Sequence, residues 1–212
     1  MVLKDNIKFL FTGDSITCAS RDLEAYQPYG KGYVHFSANY LMAKYPELNF
    51  QMVNTGISGN TTVQLLARFK ADCIAHKADI VTILVGINDL WRRYKTFDKS
   101  DSAVYPKQYE ENYRKMLDEI YDSGSPKVIL FEPFMFCSDE HNEMFRELKK
   151  YQHICRKLAS AYPVRFVGIQ DEINSLLRYT DDKKWSNDMI HPLPWGHMWL
   201  SHRWLEAVMT LK

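Results

Sequence analysis

Residues 7–15 read IKFLFTGDS, a short apolar run from Ile7 to Phe11 that closes on Thr12, Gly13, Asp14 and Ser15. An apolar run of strand length that empties into a Gly-Asp-Ser turn is the pattern of a buried strand delivering polar side chains to its carboxyl end. Downstream, past a loop rich in Gly and Tyr (Tyr26 to Gly32), Val34, Ala38, Leu41 and Tyr45 recur at helical spacing, and Pro46 marks the stop. The alternation then repeats. Phe50 to Val53 reads as a strand, followed by a helical face of Thr62, Leu65, Leu66, Phe69 and Cys73. Ile80 to Val85 reads as the central strand, and Tyr109, Tyr113, Met116, Leu117 and Ile120 form the next helical stripe. Val128 to Phe131 and Arg165 to Val167 complete the strands. Met144, Leu148, Tyr151, Cys155 and Leu158 form the helix between those two, and Leu200, Trp204, Ala207, Val208 and Leu211 a closing one.

Parallel neighbours need a crossover long enough to hold a helix, so strands alternating with helices predict an α/β fold. The expected architecture is a three-layer α/β/α sandwich around a central parallel sheet of about five strands, with residues 1–212 as one domain. Ligands in such sheets bind beyond the carboxyl ends of the strands, which directs attention to the residues just after each apolar run.

Composition narrows the class of function. The chain has 212 residues, 46% hydrophobic and 25% charged, as in an ordinary globular protein. A net charge of +1 supplies no basic field for phosphates, so no nucleic-acid partner is expected. The longest apolar segment, Ile80 to Val85, falls well short of the roughly 20 residues of a membrane helix, and no membrane partner is expected. The N-terminal stretch, Met1 to Asn6, carries Lys4 and Asp5, and the apolar run that follows is too short for a signal-peptide core. Cys18, Cys73, Cys137 and Cys155 show no C-x-x-C spacing and read as reduced thiols. A cytoplasmic location follows as an expectation.

Polar clusters follow the first three strands: Gly13-Asp14-Ser15, then the run from Asn54 to Asn60, then Gly86-Ile87-Asn88-Asp89. A fourth, Asp188 to Pro192, stands before the last helix. If the strands are parallel, these clusters converge on one rim, and together they hold the parts needed for acyl transfer. A serine hydroxyl needs a base within hydrogen-bond reach, which His191 can provide for Ser15. A carboxylate at Asp188 can hold that imidazole in one tautomer and stabilise its cation. The negative oxygen of a tetrahedral intermediate needs fixed donors, and the Ser15 and Gly59 backbone N–H groups with the Asn88 amide are of the right type.

These blocks resemble those of the GDSL or SGNH hydrolases: Gly-Asp-Ser at 13–15, the Gly59 of Asn-Thr-Gly-Ile-Ser-Gly-Asn, the Asn88 of Gly-Ile-Asn-Asp, and Asp188-x-x-His191-Pro192. The resemblance implies a flavodoxin-like sheet, Ser15 as nucleophile, Asp188 and His191 as its partners, and Gly59 and Asn88 as oxyanion donors beside the Ser15 amide. Ile16 replaces the leucine of the family nickname without touching the chemistry. Residues 30–34, 44–48, 86–94 and 196–198 are similar to the acetylxylan-esterase-like branch. That similarity implies an acetylated carbohydrate or another short-chain ester as substrate, and a homo-oligomer; hydrolysis through an acyl-enzyme on Ser15 calls for no metal or organic cofactor. A lysophospholipase or acyl-thioesterase is the rival within the family, and a sugar-binding protein that keeps the fold is the rival outside it.

Each residue also has a plainer reading. Ser15 and Asp14 could cap a helix, and Asp14 is assigned to that role; Asp89 is likewise read as structural. His197 and His202 lack the cysteine or acidic partners of a zinc site and read as structural or surface residues. Trp91 and Trp185 flank the third and fourth blocks and are candidates to stack on a sugar ring, against the commoner fate of tryptophan in a core. Arg92 and Arg93 read as solvated or ion-paired. No complete dinucleotide loop, phosphate loop or G-x-S-x-G elbow occurs.

Overall fold

In the computed structural model, which describes residues 3–23, 25–94, 103–124 and 126–211, the apolar runs form five parallel strands. Met1 and Val2 of the N-terminal stretch lie outside the described residues. The strands are β1 (Lys8–Gly13), β2 (Gln51–Asn54), β3 (Ile80–Leu84), β4 (Lys127–Phe131) and β5 (Val164–Val167), in the order β2-β1-β3-β4-β5. That is the flavodoxin-like order, which reverses direction between β1 and β3 and opens a crevice at their carboxyl ends. Pairing sets Phe9 opposite Met52 on one side and Ile80 on the other, so the turns after β1, β2 and β3 emerge side by side.

The helices are α1 (Ser15–Cys18), α2 (Tyr33–Lys44), α3 (Thr62–Asp72), α4 (Ile87–Trp91), α5 (Pro106–Asp122), α6 (Glu143–Ala161), α7 (Gln170–Leu176) and α8 (Pro194–Met209). On one face of the sheet, α2 and α8 pack together; Phe9 and Phe11 meet Trp204 at ring-centroid distances of 5.5 and 4.9 Å, and Phe11 meets Tyr33 at 5.9 Å. Buried Trp204 also donates Nε1–H to Thr82 Oγ1 at 2.8 Å, which satisfies its polar atom inside the core. A second helical layer is formed by α3, α5 and α6. β1 and β3 are buried along almost their whole length, which is why they read as continuous apolar runs, whereas of the edge strands β2 alternates and β5 is only partly covered.

Helix α8 starts at Pro194, one turn or more before the periodic stripe that begins at Leu200, because proline in the first turn forfeits no intrahelical bond. Among the described residues no helix is long and apolar enough to cross a membrane, and all four cysteines are unpaired.

Candidate active site

The turn after β1 is built around Gly13, whose φ is +157° and where an added Cβ would lie 2.0 Å from the Leu84 carbonyl oxygen of β3. Only glycine allows β1 to run that close to its neighbour before the chain turns. Asp14 then caps α1, accepting from the Ile16 N–H at 3.0 Å, as read from the sequence. This places Ser15 at the first position of the helix, with its Oγ at the rim and its N–H unpaired among the described residues.

His191 reaches Ser15 from the loop before α8, with Nε2 2.8 Å from Ser15 Oγ. Its Nδ1 lies 2.6 Å from Asp188 Oδ2, and a carboxylate there places the ring proton on Nδ1, leaving Nε2 to accept from the serine hydroxyl. Asp188 Oδ1 accepts from the N–H groups of His191 (2.8 Å) and Ile190 (3.0 Å) and from Ser186 Oγ (3.0 Å). Partial burial raises the Asp188 carboxyl, but the bonds from the His191 ring and from the two N–H groups outweigh it and hold the group at about 2. The loop itself is clamped. The N–H of Leu193 donates to Trp185 O at 2.7 Å, and the N–H of Phe136, in the segment after β4, donates to Met189 O at 2.8 Å.

The loop after β2 carries Gly59 in the left-handed region, at φ +80°. Arginines hold its carbonyls: Arg21 Nη2 donates to Gly56 O at 3.2 Å, Arg68 Nη1 to Thr55 O at 2.7 Å and Arg92 Nη2 to Gly59 O at 2.6 Å. The Gly59 N–H has no acceptor among the described residues and borders the same cleft as Ser15. Asn88, on α4 and 3% exposed, spends one Nδ2 proton on Asn60 O at 3.1 Å and keeps the other for the cleft. Asp89 beside it is fully buried and accepts from the Thr62 N–H at 3.0 Å, tying α4 to α3. Burial pushes both Asp14 and Asp89 up to about 7, against the bonds they accept.

The cleft encloses about 680 Å³. Trp91 borders it, its ring edge-on to His191 at 5.8 Å. Trp185 is not brought there. It stacks on Phe136 at 5.8 Å, meets Trp195 at 6.0 Å and lines a separate outer groove, because the loop from Ser186 to Pro192 folds back over it. His197 does reach the cleft wall, accepting from the Tyr33 N–H at 3.2 Å; burial and then the His191 charge lower it to about 4, so it stays neutral. A larger hollow of about 870 Å³ lies by the amino ends of β1 and β3, where the fold places no chemistry. Its thiol, Cys73, is raised to about 12 by burial and is no nucleophile. Among the described residues no cluster of His, Cys, Asp and Glu is arranged to hold a metal ion.

Sequence reading missed the arginine ties. Arg68 stands on the polar side of the α3 stripe with nothing local to mark it, and Arg92 reads as half of a surface pair.

The GDSL-like Lipase/Acylhydrolase family matches this chain over residues 11–199. The chain is 35% identical over 205 residues to an acetylxylan esterase of Geobacillus stearothermophilus, covering 95% of this chain and 93% of that protein. The crystal structure of Axe2, an acetylxylan esterase from Geobacillus stearothermophilus, superposes with a TM-score of 0.91 at 34% identity, over 98% of this chain and 96% of that one. LAE5, an alpha/beta hydrolase enzyme from the metagenome of Lake Arreo, Spain, gives 0.91 at 28% identity, over 99% and 98%.

Proposed function

The chain belongs to the GDSL-like lipase/acylhydrolase family, and from that premise we propose that it cleaves acetyl esters through an acyl-enzyme on Ser15. The observation that carries the assignment is the continuous relay from Ser15 Oγ through His191 to Asp188, opening on a cleft bordered by unpaired N–H donors. In this reading Ser15 Oγ attacks the acetyl carbonyl while His191 Nε2 takes its proton, and Asp188 stabilises the imidazolium. The carbonyl oxygen becomes an oxyanion held by the N–H groups of Ser15 and Gly59 and by Asn88 Nδ2. Collapse breaks the ester bond, and the departing alcohol takes the proton from His191. A water then attacks the acyl carbonyl while His191 Nε2 takes one of its protons, and the second tetrahedral adduct collapses as His191 returns that proton to Ser15 Oγ, releasing acetic acid, which ionises to acetate.

The substrate class in this proposal is acetylated carbohydrate. Support comes from the similarity to acetylxylan esterases and from the cleft, whose border mixes Ser20, Ser58 and Arg92 with one large aromatic, Trp91. A lysophospholipase needs a long apolar channel, and the described residues around Ser15 line none. The unpaired cysteines support a reducing, cytoplasmic location. The apolar outer groove with exposed Trp195 and Met198 supports self-association, which sedimentation velocity tests.

The testing experiment is hydrolysis of p-nitrophenyl acetate by the wild type beside Ser15→Ala, both with EDTA present. Activity confined to the wild type is expected. Equal activity in both, or an inert wild type, would overturn the assignment. A panel of p-nitrophenyl esters settles chain length: preference for acyl chains of about eight carbons or more would remove the acetyl reading.

A further inference from the structure

Arg68 projects from α3, on the far side of the loop from the cleft, with its side chain 15% exposed. Each of the three nitrogens of its guanidinium donates a hydrogen bond. Nε donates to Asn60 Oδ1 at 2.8 Å, Nη1 to Thr55 O at 2.7 Å, and Nη2 to Gly13 O at 3.1 Å. Asp72 Oδ2, one helical turn away, accepts from Nη1 at 2.8 Å and steadies the fork. One side chain thus joins the exit of β1, two residues before Ser15, to both ends of the loop that carries Gly59.

The bonds continue into the cleft. Gly13 O, which accepts from Arg68, accepts also from the Ile57 N–H at 3.1 Å. Asn60, whose side chain Arg68 holds, offers its backbone carbonyl to Asn88 Nδ2. The three groups assigned as oxyanion donors therefore hang on segments that meet at one guanidinium. Arg21 and Arg92, by contrast, each bond to only one carbonyl of this loop. We propose that Arg68 is a positioning residue for the reaction, fixing the separation of the Ser15 turn from the Gly59 and Asn88 donors; the inference rests on the serine-esterase reading above.

Transition-state complementarity is sensitive to displacement: a shift of about 1 Å in a remote support can cost on the order of 100-fold in rate. Loss of Arg68 slackens donors that matter most in the tetrahedral adduct, and leaves the groove that receives the substrate in place. The expected signature is a fall in kcat with KM nearly constant. Lysine keeps the charge but offers a single ammonium, which cannot span Gly13 O, Thr55 O and Asn60 Oδ1 together.

The experiment measures kcat and KM on p-nitrophenyl acetate for the wild type, Arg68→Lys and Arg68→Ala, with each rate divided by the concentration of Ser15 that a fluorophosphonate labels to completion. That normalisation removes any unfolded fraction, and Arg68→Lys serves if Arg68→Ala does not fold. Expected are a fall in kcat of about 10- to 100-fold in both variants, KM within about twofold, and partial recovery of Arg68→Ala by added guanidinium at non-denaturing concentration. A normalised kcat within about twofold of wild type, or full activity in Arg68→Lys, would overturn the inference. If Ser15→Ala retained activity, the underlying reading would fail instead, so the two failures are distinguishable.

Discussion

Replacing Asn88 by alanine removes one of the assigned oxyanion donors, and its cost can be worked from the site. The Asn88 amide is 3% exposed, with one proton on Asn60 O and the other free for the cleft. In the ground state a neutral ester carbonyl gains little from that second proton, while the oxyanion, shielded from bulk water, gains much. Loss of such a donor costs about 2.7 to 4 kcal/mol of barrier, or on the order of 100- to 1,000-fold in kcat. The vacated bond to Asn60 O adds roughly 1 kcal/mol of lost stability, since that carbonyl is left unsatisfied. Steady-state kinetics on p-nitrophenyl acetate, with sites counted by fluorophosphonate, would show kcat reduced and KM nearly unchanged. Asn88→Asp should be worse, because a carboxylate beside a developing oxyanion repels it. A kcat for Asn88→Ala within tenfold of wild type would remove Asn88 from the oxyanion hole and leave that role to the two backbone donors.

Asp188→Ala removes the acceptor of the His191 ring and of the loop N–H groups; a kcat loss of roughly 100- to 10,000-fold is expected, and a loss under tenfold would count against the relay. His197 titrates at about 4 in the fold against an ordinary 6.5, so between those values the unfolded chain binds more protons and stability drops as pH falls. The loss reaches about 3 kcal/mol by the lower limit. Asp14 and Asp89, raised to about 7, act in the opposite sense, gaining stability as pH falls from 7 toward 3.8. Comparison with His197→Asn cancels their contribution: the Tm gap between wild type and variant should narrow from pH 6.5 to pH 4, and a constant gap would mean that His197 charges freely in the fold. Gly59→Ala would bring its new Cβ no closer than 3.9 Å to Arg92 Nη2, an ordinary contact, and should fold, with Tm lower by a few degrees for a left-handed alanine. Gly13→Ala must displace the Leu84 carbonyl and should fail to fold; a Gly13→Ala protein as stable as wild type would show that the turn relaxes.

Much of this was legible because buried parallel strands and long amphipathic helices leave strong local signals. β1 and β3 are continuous apolar runs, and α5 and α6 carry their stripes over many turns. The short α1 and α4 span four and five residues, less than periodicity can register, although they position Ser15 and Asn88. Ser15, Asn88, Asp188 and His191 could be singled out since each follows a strand or precedes the last helix, and the parallel topology does the rest. Trp185 was misplaced for the complementary reason: nearness in sequence to His191 does not say on which side of a folded-back loop a ring will lie. Arg68 and the Phe136 N–H act through contacts between distant segments, of which the local pattern carries no trace.

Turnover through a serine acyl-enzyme requires a covalent acetyl group on Ser15. Rapid acid quenching of the wild type during turnover of an acetyl ester, followed by peptide mass spectrometry, tests it directly. Expected is a mass increase of one acetyl group confined to the peptide that contains Ser15, accumulating in His191→Ala if that variant still acylates and absent from Ser15→Ala. An acetyl group on another residue, or turnover with no acetylated peptide under conditions that trap it in a known serine esterase, would contradict it.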